Sequence, residues 1–155
     1  MEKMKELKEG DAAPAFEAMT GEGKAVTLAD FAGKTVVLYF YPRDNTPGCT
    51  VEACSFRDNF AALRKRGAVV LGVSADSAES HSKFAKKFSL PFTLLSDPEK
   101  KMVNAYGVWV QKSFLGRKYM GIERSTFVIG GDGRIQKIFR KVNPKRHVAD
   151  LLQAL

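Results

Sequence analysis

Residues 36–40 read Val-Val-Leu-Tyr-Phe, a run with no polar alternation. A strand of that composition has to bury both faces, which places it inside a parallel or mixed sheet with layers above and below. The run empties through Pro42-Arg43-Asp44-Asn45-Thr46-Pro47-Gly48 into an amphipathic stretch that starts near Cys49 and continues to Arg66. Ala53, Phe56, Phe60 and Leu63 recur at spacings of three and four and form its buried stripe, and Gly67 closes it. Both cysteines of the chain, Cys49 and Cys54, lie in this stretch.

The remaining segments organise around that unit. Residues 1–14 form a polar lead-in. Phe16 and Ala18, then Val26 and Leu28, flank Gly21-Glu22-Gly23 and predict a short hairpin. Ala68–Ser74 is a second buried strand. Asp76 or Ser77 caps a following helix carrying Phe84, Ala85 and Phe88 on one side, and Pro91 precedes a third strand at Phe92–Leu95. Asp97-Pro98-Glu99 reads as the start of a helix with Met102, Val103 and Tyr106 on its apolar side. Val108–Val110 opens an extended segment reaching toward Met120–Ile122. Ser125–Ile129 and Ile135–Phe139 flank a glycine-rich turn at Gly130–Gly133, and Asn143-Pro144 leads into a last helix whose Val148, Leu151, Leu152 and Leu155 face inward. Early βαβ units imply parallel strands and the late hairpin an antiparallel part, so the expectation is one domain over residues 1–155, a three-layer α/β sandwich with a mixed central sheet.

Several function classes fall away. No apolar run approaches the ~20 residues of a membrane-spanning helix, and the charged N-terminus lacks the apolar core of a secretory signal. A cytoplasmic location and no membrane partner are therefore expected. The net charge of +8 is spread over the chain rather than gathered in runs, so nucleic acid is not expected either. His81 and His147 stand far apart in basic surroundings and read as surface residues. Two Cys and two His at these spacings do not make a zinc site. Gly130–Gly133 lacks the strand, loop and Lys-Ser/Thr of a phosphate cradle. Trp109 reads as packing. No metal or cofactor is expected.

The chemistry concentrates at Cys49. A cysteine at a helix start meets unpaired N–H groups and the positive end of the dipole, and the thiolate they favour is the reactive form. A buried cysteine can also be a small apolar residue, but the Pro/Gly-rich turn before it favours the nucleophile. The Thr46 hydroxyl, three residues earlier, can face the sulfur, face a substrate or cap the helix. Pro42 shields the site or simply punctuates the strand. Glu52 is a partner behind the site or a solvated acid on the helix dipole, and Cys54 is a second thiol or a helix residue beside the apolar stripe.

Pro42-x3-Thr46-x2-Cys49, the continuation Cys49-Thr50-Val51-Glu52-Ala53-Cys54, and Gly121-Ile122-Glu123-Arg124-Ser125-Thr126-Phe127-Val128-Ile129 together resemble the peroxiredoxins, in particular the bacterioferritin-comigratory (Q-type) subgroup with atypical 2-Cys chemistry. The resemblance runs from about Gly10 to the C-terminus. It implies a thioredoxin-like fold with an N-terminal hairpin extension. It also implies a peroxidase that reduces hydrogen peroxide and alkyl hydroperoxides, with thioredoxin as reductant and a monomeric state. Arg124, in isolation one of 25 basic residues, is singled out by the resemblance as a permanent cation beside the thiolate and peroxide. Cys49 is implied as the attacking sulfur, with Pro42 and Thr46 beside it and Cys54 as the resolving thiol.

Helical residues five apart have Cα atoms roughly 8.7 Å apart, whereas a disulfide needs them within about 7 Å. Bonding Cys49 to Cys54 therefore requires the first turns of their helix to unwind. A disulfide reductase would want Cys-x-x-Cys rather than the Cys-x4-Cys found here, and a purely binding role would not need the motif residues intact.

Overall fold

A computed structural model describes residues 6–155; the first five residues of the predicted polar lead-in lie outside the described residues. The elements run β1 (Glu17–Thr20), β2 (Ala25–Thr27), a 3-10 turn (Leu28–Phe31), β3 (Thr35–Phe40), α1 (Pro47–Asp58), α2 (Phe60–Lys65), β4 (Ala68–Ser74), α3 (Ala78–Phe88), β5 (Thr93–Ser96), α4 (Lys101–Ala105), β6 (Trp109–Phe114), β7 (Arg117–Ile122), β8 (Ser125–Ile129), β9 (Ile135–Phe139) and α5 (His147–Ala154).

The apolar run sits where its composition requires. In the seven-stranded sheet, ordered β2-β1-β5-β4-β3-β8-β9, β3 is flanked by parallel β4 and antiparallel β8. Val36, Leu38 and Phe40 face one core, with Met102 and Val103 of α4, Tyr106 just after it, and the base of the β6–β7 hairpin. Val37, Tyr39 and Tyr41 face the other, with Cys49, Ala53 and Phe56 of α1, Phe84 of α3, and Val148 and Leu151 of α5. Two cores on one sheet make the three-layer sandwich. The N-terminal hairpin is more than an appendage, because β1 pairs antiparallel with β5 and extends the sheet.

The predicted long helix is two. The Asn59 side chain donates to the Ser55 carbonyl at 2.9 Å, a local bond that competes with the helical ladder, and the chain breaks there before α2. The start expected at Asp97-Pro98-Glu99 is also displaced. Lys100 takes a left-handed conformation and α4 begins one residue later, yet Asp97 still caps it, accepting from the Val103 N–H at 2.9 Å. Ser77, rather than Asp76, caps α3 by accepting from the Ser80 N–H. At Gly72 of β4 a Cβ would stand 2.9 Å from the Tyr39 ring. Its absence leaves room for that ring, which stacks on Phe56 of α1.

Both histidines depart from the surface reading: His81 is 0% and His147 2% exposed. His147 sits at the start of α5 with Nε2 2.7 Å from Thr126 Oγ1, packed between Phe56 and Phe139. Burial lowers it from its ordinary 6.5 to about 4. The unfolded chain then binds the extra proton between those values, so the stability His147 contributes is complete above pH 6.5 and is lost as pH falls toward 4. Glu52, raised from 4.5 to about 7, works in the opposite sense. Comparing wild type with His147→Gln in denaturant titrations isolates the first effect. The stability difference between the two proteins is expected to change by roughly 2–3 kcal/mol in favour of wild type between pH 4 and pH 7, and a flat difference would contradict it.

Candidate active site

The loop between β3 and α1 is braced before it reaches Cys49. Asp44, buried at its centre, accepts from the Tyr41 hydroxyl (2.6 Å) and the Ser80 hydroxyl (2.8 Å), and its N–H donates to Asp76 Oδ2 (2.8 Å). His81 of α3 places Nδ1 2.7 Å from Asp44 Oδ2 and Nε2 2.8 Å from the Leu95 carbonyl. The ring thus ties the loop carboxylate to the β5 backbone. Burial raises the Asp44 carboxyl, but His81, Tyr41 and Ser80 more than offset it and hold it below its ordinary 3.8. Ligand atoms of Asp44, Asp76 and His81 lie within 4.8 Å of one another. Each is already engaged by hydrogen bonds, so the cluster is a brace between the loop and α3.

Beyond the brace, Asn45 takes a left-handed φ of 60° and Thr46 turns the chain into α1, with Pro47 and Gly48 ahead of Cys49. Cys49 is 2% exposed and its side chain joins the core cluster under α1. Arg124, just before β8, reaches across from the far end of the chain. Its Nη2 donates to Cys49 Sγ at 3.3 Å and its Nη1 to Glu52 Oε1 at 2.8 Å. Cys49 and Glu52 lie three residues apart on one face of α1, so one guanidinium spans both. A Cβ at Gly48 would stand 3.2 Å from Arg124 Nη2, which explains a glycine before the thiol. Burial works against the charge of Arg124, but Glu52 and Cys49 outweigh it and raise the guanidinium further.

Glu52 is fully buried. Burial pushes its carboxyl up to about 7, with Arg124 opposing the shift. Its second oxygen, Oε2, and the Tyr39 hydroxyl are the two buried side-chain oxygens without a hydrogen-bond partner among the described residues. Burial, and after it the charges of Glu52 and Cys49, hold the Tyr39 phenol well above its ordinary value, so it stays neutral.

The other predicted residues are placed as follows. Thr46 donates its hydroxyl to the Arg43 carbonyl at 3.0 Å, not to the sulfur, and makes no side-chain cap. Pro42 is half-buried at the head of the loop. Cys54 is a free, partly exposed thiol in the same unbroken α1 as Cys49. Sequence reasoning missed the Asp44–His81 brace and left the place of Glu52 open. The signal was in the periodicity: His81 precedes Phe84, Ala85 and Phe88 at helical spacing, and Glu52 precedes Phe56 by four, so both fall on buried stripes.

Residues 9–138 match the AhpC/TSA family. The chain is 52% identical over 146 residues to peroxiredoxin Bcp of Bacillus subtilis, covering 94% of this chain and 93% of that protein. It is 47% identical over 144 residues to peroxiredoxin Bcp of Escherichia coli, covering 93% and 92%. Among solved structures, the bacterioferritin comigratory protein of Xanthomonas campestris, described for its alkyl peroxide reduction activity, superposes with a TM-score of 0.85 at 37% identity over 90% of this chain and 88% of that one. A PrxQ mutant from Xylella fastidiosa superposes with a TM-score of 0.91 at 34% identity, covering 97% and 96%.

Proposed function

The chain belongs to the AhpC/TSA family and is a peroxiredoxin, a thiol peroxidase of thioredoxin-like fold, and from that premise we propose the following cycle for its residues. Cys49, as thiolate, attacks the terminal oxygen of a hydroperoxide. The S–O bond forms as the O–O bond breaks, the alkoxide or hydroxide leaves and takes up a proton, and Cys49 becomes a sulfenic acid. Cys54 then attacks that sulfur, releasing water and forming an intramolecular disulfide. A dithiol protein of the thioredoxin type restores both thiols by exchange.

The observation that carries this reading is the 3.3 Å contact of Arg124 with Cys49 Sγ at the first turn of α1. A fixed cation and first-turn N–H groups favour the thiolate and meet the charge that moves onto the peroxide oxygens. Thr46, whose hydroxyl needs only to leave the Arg43 carbonyl, orients the peroxide, and Pro42 walls the pocket. Hydrogen peroxide and alkyl hydroperoxides are the proposed substrates, and the protein works as a single-domain cytoplasmic monomer. No helix among the described residues is long and apolar enough to cross a membrane.

Peroxide-dependent NADPH oxidation coupled through thioredoxin and its reductase tests the cycle: turnover that requires all three components supports it, and none with any dithiol reductant contradicts it. Arg124→Met is expected to slow the attack on peroxide on the order of a hundred- to a thousandfold, measured by stopped-flow, while Cys54 remains able to resolve whatever sulfenic acid forms.

A further inference from the structure

Two acidic side chains on one helical face share a single cation in the buried heart of this site. Arg124 donates from Nη2 to Cys49 Sγ at 3.3 Å and from Nη1 to Glu52 Oε1 at 2.8 Å. Glu52 is 0% exposed and its Oε2 accepts from no group. Two full negative charges would share one guanidinium as their direct partner in a buried site, and a buried carboxylate relieves this by keeping its proton. The unpartnered Oε2 is where a carboxyl proton would sit.

We propose that a single proton is held between Cys49 and Glu52 across Arg124, and that Glu52 gives up this proton when the sulfur loses its charge. The inference rests on Cys49 being the attacking sulfur. Other groups around Glu52 do not take over its part. Tyr39 of β3 remains a neutral phenol and His147 of α5 is neutral above about 4. Lys112 of β6 is a further cation in the field of Arg124 and Cys49, itself lowered by burial and by Arg124. The raised Glu52 carboxyl, about 7, agrees with the geometry.

The step balances. Thiolate, protonated Glu52 and ROOH give sulfenic acid, ionised Glu52 and ROH: the S–O bond forms, the O–O bond breaks, and the alkoxide gains one proton while Glu52 loses one. No net proton is drawn from solvent. After oxidation the Arg124–Glu52 pair is a full ion pair and the neutral sulfur has lost its hold on the guanidinium. Glu52 is thus a positioning and proton-holding residue, distinct from the attacking sulfur.

The test is proton uptake during a single oxidation, read with an indicator dye in weak buffer near neutral pH. Cys54→Ser protein, in which the chemistry stops at the sulfenic acid, is compared with Glu52→Gln/Cys54→Ser. The first is expected to take up close to no protons per sulfur oxidised and the second close to one, with the thiolate ultraviolet absorbance of Glu52→Gln/Cys54→Ser appearing at lower pH. Equal uptake in the two proteins, whether one proton or none, would overturn the proposal. Should Glu52→Gln not fold, infrared difference spectra of the Cys54→Ser protein decide. A protonated-carboxyl C=O band lost on oxidation supports a shared proton, and no such loss overturns it. Dimedone labelling of Cys49 in the same samples shows separately whether Cys49 is the oxidised sulfur.

Discussion

Cys49→Ser is expected to lose peroxide turnover altogether, a fall of at least about a thousandfold in the rate of peroxide consumption. The serine hydroxyl is nearly isosteric and leaves the packing of α1 on Tyr39, through Phe56, in place, so the protein should unfold at a temperature close to that of wild type. What it cannot do is ionise: a hydroxyl without an adjacent general base is a weak nucleophile, and here the sulfur's neighbours are a cation and a buried carboxyl rather than a base positioned on it. Arg124 would then face a neutral oxygen, and Glu52 would keep the guanidinium to itself. Full activity in a folded Cys49→Ser protein would mean that the chemistry lies elsewhere.

Cys54→Ser is expected to behave differently. It should consume about one equivalent of peroxide per chain, at a rate near that of wild type, and then stop, because nothing in the chain can resolve the sulfenic acid. Recycling by thioredoxin should fall to background. The proposed resolving step is separate for a geometric reason. Both cysteines sit in α1, which runs unbroken from Pro47 to Asp58, and ideal helical Cα atoms five residues apart are roughly 8.7 Å from each other, beyond the reach of about 7 Å for a disulfide. Oxidised wild type should therefore show faster amide hydrogen exchange over the first turns of α1, whereas the β3–α1 loop, held by Asp44 and His81, should stay protected. A bonded pair in a helix that still exchanges slowly would contradict the unwinding.

The architecture was legible because its central strand has only one way to be satisfied. Val36–Phe40 demanded cover on both faces, and the alternating assignment of its side chains to two cores follows from that demand. The hairpin at β8–β9 and the stripe Ala53, Phe56, Phe60, Leu63 were equally direct, although Phe60 is only partly buried. The boundaries that shifted did so through single local bonds, such as Asn59 to the Ser55 carbonyl and the left-handed Lys100, which no periodicity announces. At the site, Cys49 could be placed from helix physics alone, while Arg124 could not. It lies 75 residues away, and only the family motif or the β3–β8 pairing brings it to the sulfur. The histidines were misplaced because polar neighbours in sequence were weighed above helical phase. For His81 the phase was correct and the polar partners proved to be internal.

The most direct test of Cys49 as the attacking sulfur is mass spectrometry of protein quenched after one equivalent of hydroperoxide in the presence of dimedone. In Cys54→Ser the expected result is a single dimedone adduct on Cys49. In wild type it is the loss of two hydrogens from a peptide linking Cys49 to Cys54, with little adduct. A dimedone adduct on Cys54, with Cys49 still a free thiol, would contradict it.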